Sequence, residues 1–191
     1  MSTKTSLLQA SEVYFHAYNR VVENSLLFPH ERNYHFFMTK IEKYLDKSKL
    51  EMVAFCLMPS HYHFVLFQRV PEAVSEFISN VCNGYAKALN KQMNRTGHLF
   101  ESKYKMKIVD ETAYLTHLTR YVHMNPVAAG LVGRPQEWEF SSCREYCRER
   151  KSKIVSPEIV LSQFRNSDEY LEFMQDMRVD SERKIQHLLL D

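Results

Sequence analysis

The stretch CLMPSHYHFVLFQ, residues 56 to 68, joins the end of one apolar run to the start of another through the dipeptide PS. Two apolar runs separated by such a turn predict an antiparallel pair of strands, here over residues 52–58 and 61–68. Because successive strand residues point to opposite faces, His61 and His63 share one face. Both faces stay apolar downstream, so the second strand is predicted to be central, with two imidazoles at its open end.

The remaining periodicities complete an alternation of strands and helices. An aromatic run at residues 12–18 predicts a first strand, and residues 103–109 alternate well enough for a fourth. The predicted helices cover residues 31–45, 74–93 and 111 to about 125, and Pro126 is expected to end the last of them. The order β α β β α β α predicts an α+β, ferredoxin-like (split βαβ) fold, in which helices pack on one face of an antiparallel sheet.

Length and composition predict one globular domain. The chain has 191 residues, of which 45% are hydrophobic and 25% charged, enough for a full core and too apolar for disorder. Its longest apolar run, residues 52–58, is too short to span a bilayer, and the first seven residues hold no apolar signal segment. Four cysteines without a CxxC pair favour reduced thiols. We therefore expect a soluble, cytoplasmic protein that does not enter a membrane.

The net charge of +2 conceals a basic middle and an acidic end. Residues 84–107 hold six basic residues against one acid, and residues 154–191 hold four basic residues against eight acids. Each lysine alone is typical of a solvated helix face, but six cations interleaved with aromatic side chains favour a surface that binds a polyanion. We expect the acidic tail to pack against this surface or to compete for it. The six cations are Lys87, Lys91, Arg95, Lys103, Lys105 and Lys107.

A second pair of candidate functional side chains lies in LTRYVHMNPVAAG, residues 118 to 130. Tyr121 and Asn125 are four residues apart on the third predicted helix, so both project from the same face, one turn apart. Taken alone, neither this pair nor the pair of histidines is diagnostic. Tyr121 is equally typical of the edge of an apolar helix stripe, and histidines at strand ends are usually hydrogen-bonded surface residues.

Together, the two segments make the chain resemble the REP-associated tyrosine transposases, which are HUH single-tyrosine nucleases close to the insertion sequence 200-like transposases. The resemblance spans residues from about 12 to 148 and leaves the acidic end outside. It therefore implies a catalytic domain over residues 1–150 and an acidic helical tail over residues 151–191. The matching words are YFHAYNR (14–20), CLMPSHYHFVL (56–66), GHLFESKYK (97–105), YVHMNPVAAGLV (121–132) and EWEFSSCREY (137–146).

Four positions depart from the usual pattern of this family. Val21, Ser60, Tyr62 and Ala128 stand where the family commonly has Gly, Asn, an aliphatic residue and Arg. None of them is a candidate ligand or nucleophile. The loss of a cation at Ala128 bears on contacts with DNA, so the departures affect the recognised sequence more than the chemistry.

The resemblance also implies a mechanism and assigns roles. Tyr121 corresponds to the nucleophile that joins DNA as a 5′-phosphotyrosine and releases a 3′-hydroxyl. His61, His63 and Asn125 correspond to the ligands of a divalent cation, Mg²⁺ or Mn²⁺, that acts on the reacting phosphate. The implied partner is single-stranded DNA with hairpins from repetitive extragenic palindromes. The candidate DNA contacts are Asn19, Arg20, Lys87, Lys91, Arg95, His98, Lys103, Lys105 and Lys107.

The predicted function is therefore a metal-dependent, single-stranded DNA endonuclease and strand transferase, a transposase associated with the nucleoid. Two alternatives stay open: a catalytically silent protein that binds hairpin DNA, and a metal-dependent nuclease that activates water. The silent alternative is disfavoured because the tyrosine, both histidines and the asparagine are all present. The sequence does not decide between a monomer and a homodimer.

Overall fold

A four-stranded antiparallel sheet forms the centre of the computed structural model, which describes residues 9–110, 112–176, 183 and 186. The strands are β1 (Val13–Arg20), β2 (Leu50–Met58), β3 (His61–Gln68) and β4 (Lys105–Val109). β1 pairs with both β3 and β4, and β2 pairs with β3, so the strand order is β2-β3-β1-β4. β3 is therefore an inner strand, as its two apolar faces predict.

Three long helices alternate with these strands. They are α1 (Glu31–Leu45), α2 (Ala73–Gln92) and α3 (Thr112–Ala128). The order β1-α1-β2-β3-α2-β4-α3 is that of a ferredoxin-like fold, so the predicted α+β class is confirmed. Within the described ranges, no helix is both long enough and apolar enough to cross a membrane. Shorter elements follow: a 3-10 turn (Pro135–Glu137), α4 (Cys143–Tyr146), α5 (Glu158–Leu161) and α6 (Ser167–Gln175).

Helices cover both faces of the sheet, whereas the sequence predicts helices on one face only. α1 and α2 pack on the face that carries Phe64, whose ring centroid lies 6.4 Å from that of Phe37 and 6.0 Å from that of Phe77. α3 lies on the opposite face, where the ring of Tyr121 is 5.6 Å from the ring of His63. The second cover is required because β2 and β3 are buried along nearly their whole length and carry apolar residues on both faces.

The turn between β2 and β3 is held in place by the chain that follows β1. The backbone N–H of Val21 donates to the carbonyl of Ser60 at 2.9 Å. The carbonyl of Pro59 accepts two further N–H groups from the loop after β1, at 2.7 and 3.2 Å. Arg20 stands directly opposite His61 in the ladder between β1 and β3. The first residue of β3 is therefore held firmly at one end of the sheet.

α3 continues through Pro126, although the sequence predicts that this helix ends at Asn125. Proline removes one N–H donor, but the helical pattern resumes because the N–H of Ala129 donates to the carbonyl of Asn125 at 2.9 Å. Gly130, just beyond the helix, has a φ of 68°, the left-handed conformation that commonly ends a helix. Asn125 therefore keeps helical geometry, one turn beyond Tyr121.

The described part of the acidic tail packs on β2 and α3, where the sequence predicts contact with the basic stretch. Val155 forms a bridge with Met52, and the N–H of Ser156 donates to the carbonyl of Met52 at 2.8 Å. α5 and α6 then bury Val160 and Tyr170 completely. Apolar burial therefore decides where this segment goes. Three of its acidic residues lie outside the described residues: Asp180, Glu182 and Asp191.

α3 binds the tail on the side of the helix away from Tyr121. Arg120 donates to two backbone carbonyls at the end of α6, at 3.0 and 3.1 Å. His123 is fully buried, with Nδ1 2.7 Å from the hydroxyl of Tyr170 and Nε2 2.7 Å from the hydroxyl of Ser142. Burial lowers the pKa of His123 to about 3. The neutral imidazole therefore links α3 to the tail and to the segment before α4.

We predict that the protein loses stability as the pH falls below about 6.5, because His123 remains neutral in the folded state down to about pH 3 and titrates at about 6.5 when unfolded. In that window the unfolded state binds a proton that the folded state does not. Between about pH 6.5 and pH 5 this linkage removes about 2 kcal/mol from the free energy of unfolding. Urea denaturation without added metal, at both pH values, measures the loss.

The matched variant is His123→Gln, which keeps a polar side chain but cannot titrate. Its free energy of unfolding at neutral pH is expected to be lower than that of the wild type, because glutamine does not preserve both of the hydrogen bonds that His123 makes with Tyr170 and Ser142. Its further loss on acidification should be smaller by about 2 kcal/mol. An equal loss on acidification in both proteins would contradict the role given to His123.

Candidate active site

Four side chains from β3 and α3 meet at the end of the sheet beside the β2–β3 turn. The rings of His61 and His63 have centroids 5.1 Å apart and are nearly perpendicular, at 88°. The ring of Tyr121 lies edge-on to His63 at 5.6 Å. The side chain of Asn125 hydrogen-bonds to that of His61. The structure therefore brings together the predicted nucleophile and the three predicted metal ligands.

The carboxamide of Asn125 is oriented by its own helix. Its Nδ2 donates to the backbone carbonyl of Tyr121 at 3.0 Å, a contact made possible by the four-residue spacing. This bond leaves Oδ1 to accept from His61, and hydrogen bonding to Asn125 accordingly favours the protonated form of that imidazole. The oxygen, which is the atom that an asparagine offers to a cation, therefore faces the histidines.

His63 is fully buried and uncharged. Burial lowers its pKa well below the ordinary value, and the neighbouring His16, His61 and Arg20 lower the pKa further. Its Nδ1 lies 3.0 Å from Nε2 of His16. Its own Nε2 is buried and has no hydrogen-bond partner among the described residues. Burying a polar atom without a partner costs about 1–3 kcal/mol, so this nitrogen is a strong candidate for a functional atom.

His61 is partly buried at the first position of β3. Its Nδ1 lies 3.2 Å from the hydroxyl of Ser60. Burial lowers the pKa of His61, the bond to Asn125 opposes that shift, and the charge of Arg20 reinforces it. Both imidazoles of the site are therefore neutral near physiological pH, and the neutral form is the one that ligates a metal.

The three residues fit a divalent cation site made of two imidazole nitrogens and one carboxamide oxygen. The fit rests on Nε2 of His63, because a cation provides the partner that this buried nitrogen lacks within the described chain. In the described ranges, no group of three or more His, Cys, Asp or Glu residues is arranged to hold a metal. The candidate set contains only two such residues, His61 and His63, because its third member is Asn125. A neutral set of nitrogen and oxygen donors leaves coordination positions for water and phosphate, and accommodates Mg²⁺ or Mn²⁺.

The family of the protein is decided by a match that covers most of the sheet and α3. Residues 10–125 match the family model for IS200-like transposases. The chain belongs to this transposase family. The matched region includes His61, His63, Tyr121 and Asn125, so every residue of the candidate site lies inside it.

One solved structure shares the fold of this IS200-like transposase. A REP-associated tyrosine transposase bound to a REP hairpin matches with a TM-score of 0.64 at 14% sequence identity, over 78% of this chain and 93% of that chain. A candidate transposase from Deinococcus radiodurans R1 matches with a TM-score of 0.43 at 17% identity, over 59% of this chain and 90% of that chain. No curated protein matches the chain. The first structure confirms the ferredoxin-like arrangement of sheet and helices.

One buried residue of the transposase site, His16, is not predicted from the sequence. β1 places His16 opposite Val65, and its ring lies nearly parallel to that of His63, with centroids 5.2 Å apart and an angle of 18° between the ring planes. The word YFHAYNR contains a signal, because Tyr14, His16 and Tyr18 alternate onto one face. Only the register of β1 against β3 shows that this face is the one that carries His63.

Some candidate DNA contacts of the transposase border the site directly. Arg20 stands opposite His61, and its charge lowers the pKa of both His61 and His63. Lys105 and Lys107, on β4, lie one strand beyond β1 on the same face of the sheet as His63. These three cations place positive charge around the residues that would face a phosphate.

The other cations lie near a groove of about 870 Å³ between α2 and the loop that precedes β4. Lys87, His98 and Lys103 line this groove. Lys91 is exposed on α2, and Arg95 donates to the backbone carbonyl of His98 at 3.0 Å. The basic stretch therefore divides between the groove and the face of the sheet, and does not form a single helix face.

Asn19 ties the loop that carries Lys103 to β1. It is 8% exposed, its Nδ2 donates to the carbonyl of Ser102 at 3.1 Å, and its Oδ1 accepts from the N–H of Arg20 at 2.9 Å. Both ends of the carboxamide are therefore used inside the protein. The arrangement positions Arg20 and the loop, and leaves little of Asn19 at the surface.

We predict that His16 and His63 are energetically coupled through their 3.0 Å contact. Changing either residue alone to leucine leaves a ring nitrogen of the other buried without this partner, whereas changing both leaves neither nitrogen behind. The double variant should therefore be more stable than the sum of the single losses implies, by about 1–3 kcal/mol. A double-mutant cycle by urea denaturation measures the coupling. The control cycle pairs His63→Leu with His35→Leu, at an exposed position of α1, and the losses of stability in this cycle should be additive. Additive losses in the cycle of His16 and His63 would contradict the prediction.

Proposed function

We propose that this transposase cuts and rejoins single-stranded DNA at hairpin-containing sites through Tyr121. The observation that supports the proposal is the edge-on contact of Tyr121 with His63, whose buried Nε2 has no partner in the described chain. In the proposed step the phenolic oxygen bonds to phosphorus and the bond from phosphorus to the 3′ oxygen breaks. The products are a 5′-phosphotyrosine and a 3′-hydroxyl, so the phosphodiester energy is retained and a later hydroxyl can reverse the step.

His61, His63 and Asn125 would hold Mg²⁺ or Mn²⁺ beside the reacting phosphate. When bound, the cation supplies Lewis-acid stabilisation of the charge on the nonbridging oxygens. The chain itself supplies orientation. Because Asn125 donates to the carbonyl of Tyr121 at 3.0 Å, the nucleophile and one ligand belong to the same helical turn. The two histidines are fixed by the strand, so the attack geometry is set by how α3 packs on β3.

The proposed DNA partner is seated by the two groups of cations. Arg20, Lys105 and Lys107 would bind phosphates next to the cleavage site, because they share its face of the sheet. The groove lined by Lys87 and Lys103 would take the hairpin or its flanking strand. The REP hairpin bound to the related transposase supports this type of partner. Such a substrate places the proposed activity on chromosomal DNA in the cytoplasm, in association with the nucleoid.

We predict that Tyr121→Phe eliminates both the covalent adduct and cleavage. The substitution keeps the ring that contacts His63 but removes the attacking oxygen, so cleavage should fall on the order of a thousandfold or more while the fold is retained. The assay uses 5′- and 3′-labelled single strands that contain a hairpin, with Mn²⁺, and separates the products on denaturing gels. The wild type should carry a DNA fragment that survives boiling in detergent.

The matched control is Tyr114→Phe. This variant also loses one tyrosine hydroxyl from α3, about two turns before Tyr121. It should form the adduct at nearly the wild-type rate. Cleavage by Tyr121→Phe at a wild-type rate without an adduct would identify activated water as the nucleophile. Tight hairpin binding with no cleavage by the wild type would identify a silent binding protein.

We predict that His63→Ala abolishes cleavage but leaves most of the affinity for hairpin DNA. The proposed cation acts on the reacting phosphate, whereas most binding energy comes from phosphate and hairpin contacts elsewhere. Fluorescence anisotropy measures binding, and circular dichroism verifies the fold. His35→Ala on α1 provides the control for loss of an imidazole. Parallel loss of binding and cleavage in His63→Ala, with an intact fold, would argue against a role on the phosphate.

We predict that DNA binding weakens steeply with salt because lysine contacts release counterions from the phosphates. The pair Lys87→Ala and Lys103→Ala, both from the groove, should reduce the slope of log affinity against log salt by about 0.7 for each lysine. The matched control is Lys47→Ala with Lys49→Ala, which removes two exposed cations near the start of β2. Equal slopes for the two double variants would remove the groove from the proposed DNA path.

A further inference from the structure

His16 is a buried histidine next to the candidate metal ligands, and the proposed reaction does not use it directly. It is fully buried in β1, and its Nε2 lies 3.0 Å from Nδ1 of His63. The two ring planes are within 18° of parallel and their centroids are 5.2 Å apart, a separation that fits two rings meeting edge to edge through these nitrogens. His16 also packs against Tyr18, with ring centroids 4.7 Å apart. The contact between the two histidines is therefore a hydrogen bond between rings that packing holds in place.

The direction of this hydrogen bond decides which nitrogen of His63 carries a proton. One nitrogen must donate and the other must accept, since a neutral imidazole has one N–H and one lone pair. If His16 donated, Nδ1 of His63 would be the acceptor and Nε2 would carry a proton. That N–H would then be buried without an acceptor among the described residues, at a cost of about 1–3 kcal/mol. If His63 donates from Nδ1, its Nε2 is an unprotonated lone pair, which also lacks a partner among the described residues but which, unlike an N–H, a cation can satisfy.

We propose that His16 is a positioning residue that accepts the Nδ1 proton of His63 and so keeps the Nε2 lone pair of His63 available to a divalent cation. The inference rests on the proposed function, in which His63 is a metal ligand. The Nε2 of His16 faces His63 and is not offered to the cation. Its part is to fix the tautomer and the ring plane of the ligand, as an acceptor behind a metal-bound imidazole does elsewhere.

The arrangement also explains why the partner of His63 is an imidazole and not a carboxylate. A carboxylate at this fully buried position, directly opposite Lys107, would bring a negative charge into the interior of the sheet, where even a paired charge carries a desolvation cost. A neutral ring accepts the same proton without adding charge. The candidate site therefore keeps a neutral interior, with positive charge confined to its border.

The first experiment uses the metal-free wild-type protein and needs no variant. Two-dimensional NMR of the histidine ring nitrogens distinguishes a protonated from an unprotonated nitrogen by chemical shift. We expect His63 to have a protonated Nδ1 and an unprotonated Nε2. A protonated Nε2 in His63 would overturn the proposal.

The second experiment measures the affinity for Mn²⁺ alone, by electron paramagnetic resonance of the free ion. His16→Leu removes the acceptor and is expected to weaken Mn²⁺ binding by about tenfold or more. His16→Gln offers an oxygen close to the position of Nε2, so it should restore affinity to within a few fold of wild type and restore the tautomer. Val65→Ala, directly opposite His16 on β3, is the control for loosened packing and should bind Mn²⁺ like the wild type.

The outcomes separate the positioning role from the metal assignment. If His63→Ala weakens Mn²⁺ binding and His16→Leu does not, the metal assignment stands and the role of His16 is overturned. If His16→Gln loses as much affinity as His16→Leu, the effect is one of packing and the role is again overturned. If His63→Ala binds Mn²⁺ like the wild type, the metal assignment of His63 fails and the role of His16 fails with it.

Discussion

The register of β3 between its two neighbours is the constraint on which the rest of the molecule depends. Because strand side chains alternate, a slip of one residue would turn His63 toward α1 and α2 and bring Phe64 under α3. The register is fixed by apolar residues on both faces of β3 and by the backbone bonds that hold the β2–β3 turn. The hydrophobic burial that stabilises the sheet therefore also aims the two imidazoles. The candidate chemistry is built on a strand and a helix, and its geometry inherits their rigidity.

Local patterns were sufficient to predict β3, its histidine face and the pairing of Tyr121 with Asn125. The two-residue period of a strand and the four-residue spacing of a helix are properties of nearby residues, so both can be read from the sequence without knowledge of the fold. The remaining features depend on distant segments. α3 covers the second face because β2 and β3 are apolar on both sides, and His16 meets His63 across 47 positions of sequence. For the described residues of the tail, the prediction of packing against the basic surface was wrong, because the apolar residues of the tail gain more from burial than its exposed charges gain from pairing.

The candidate site is in tension with the core that surrounds it. An apolar sheet interior favours side chains without polar atoms, yet this one encloses two imidazoles in contact, one of them with a nitrogen that has no partner in the described part of the chain. The neighbouring strand β2 is buried at eight of its nine positions, so the core is extensive enough to tolerate this local loss of stability. Exchange of stability for a prepared functional group is common in enzymes. It also explains why these residues look like ordinary core positions when only their burial is considered.

The bridge made by His123 has a consequence for how the chain can be divided. The sequence changes character near residue 150, which makes that point attractive for attaching a reporter or for trimming a gene. A cut there would expose the side of α3 that faces away from Tyr121. Nδ1 of His123 would lose the hydroxyl of Tyr170, and the guanidinium of Arg120 would lose the two backbone carbonyls to which it donates. The helix that presents Tyr121 would then be supported on one side only. A unit that keeps these contacts of α3 extends at least to Asp176, whose carbonyl accepts from Arg120.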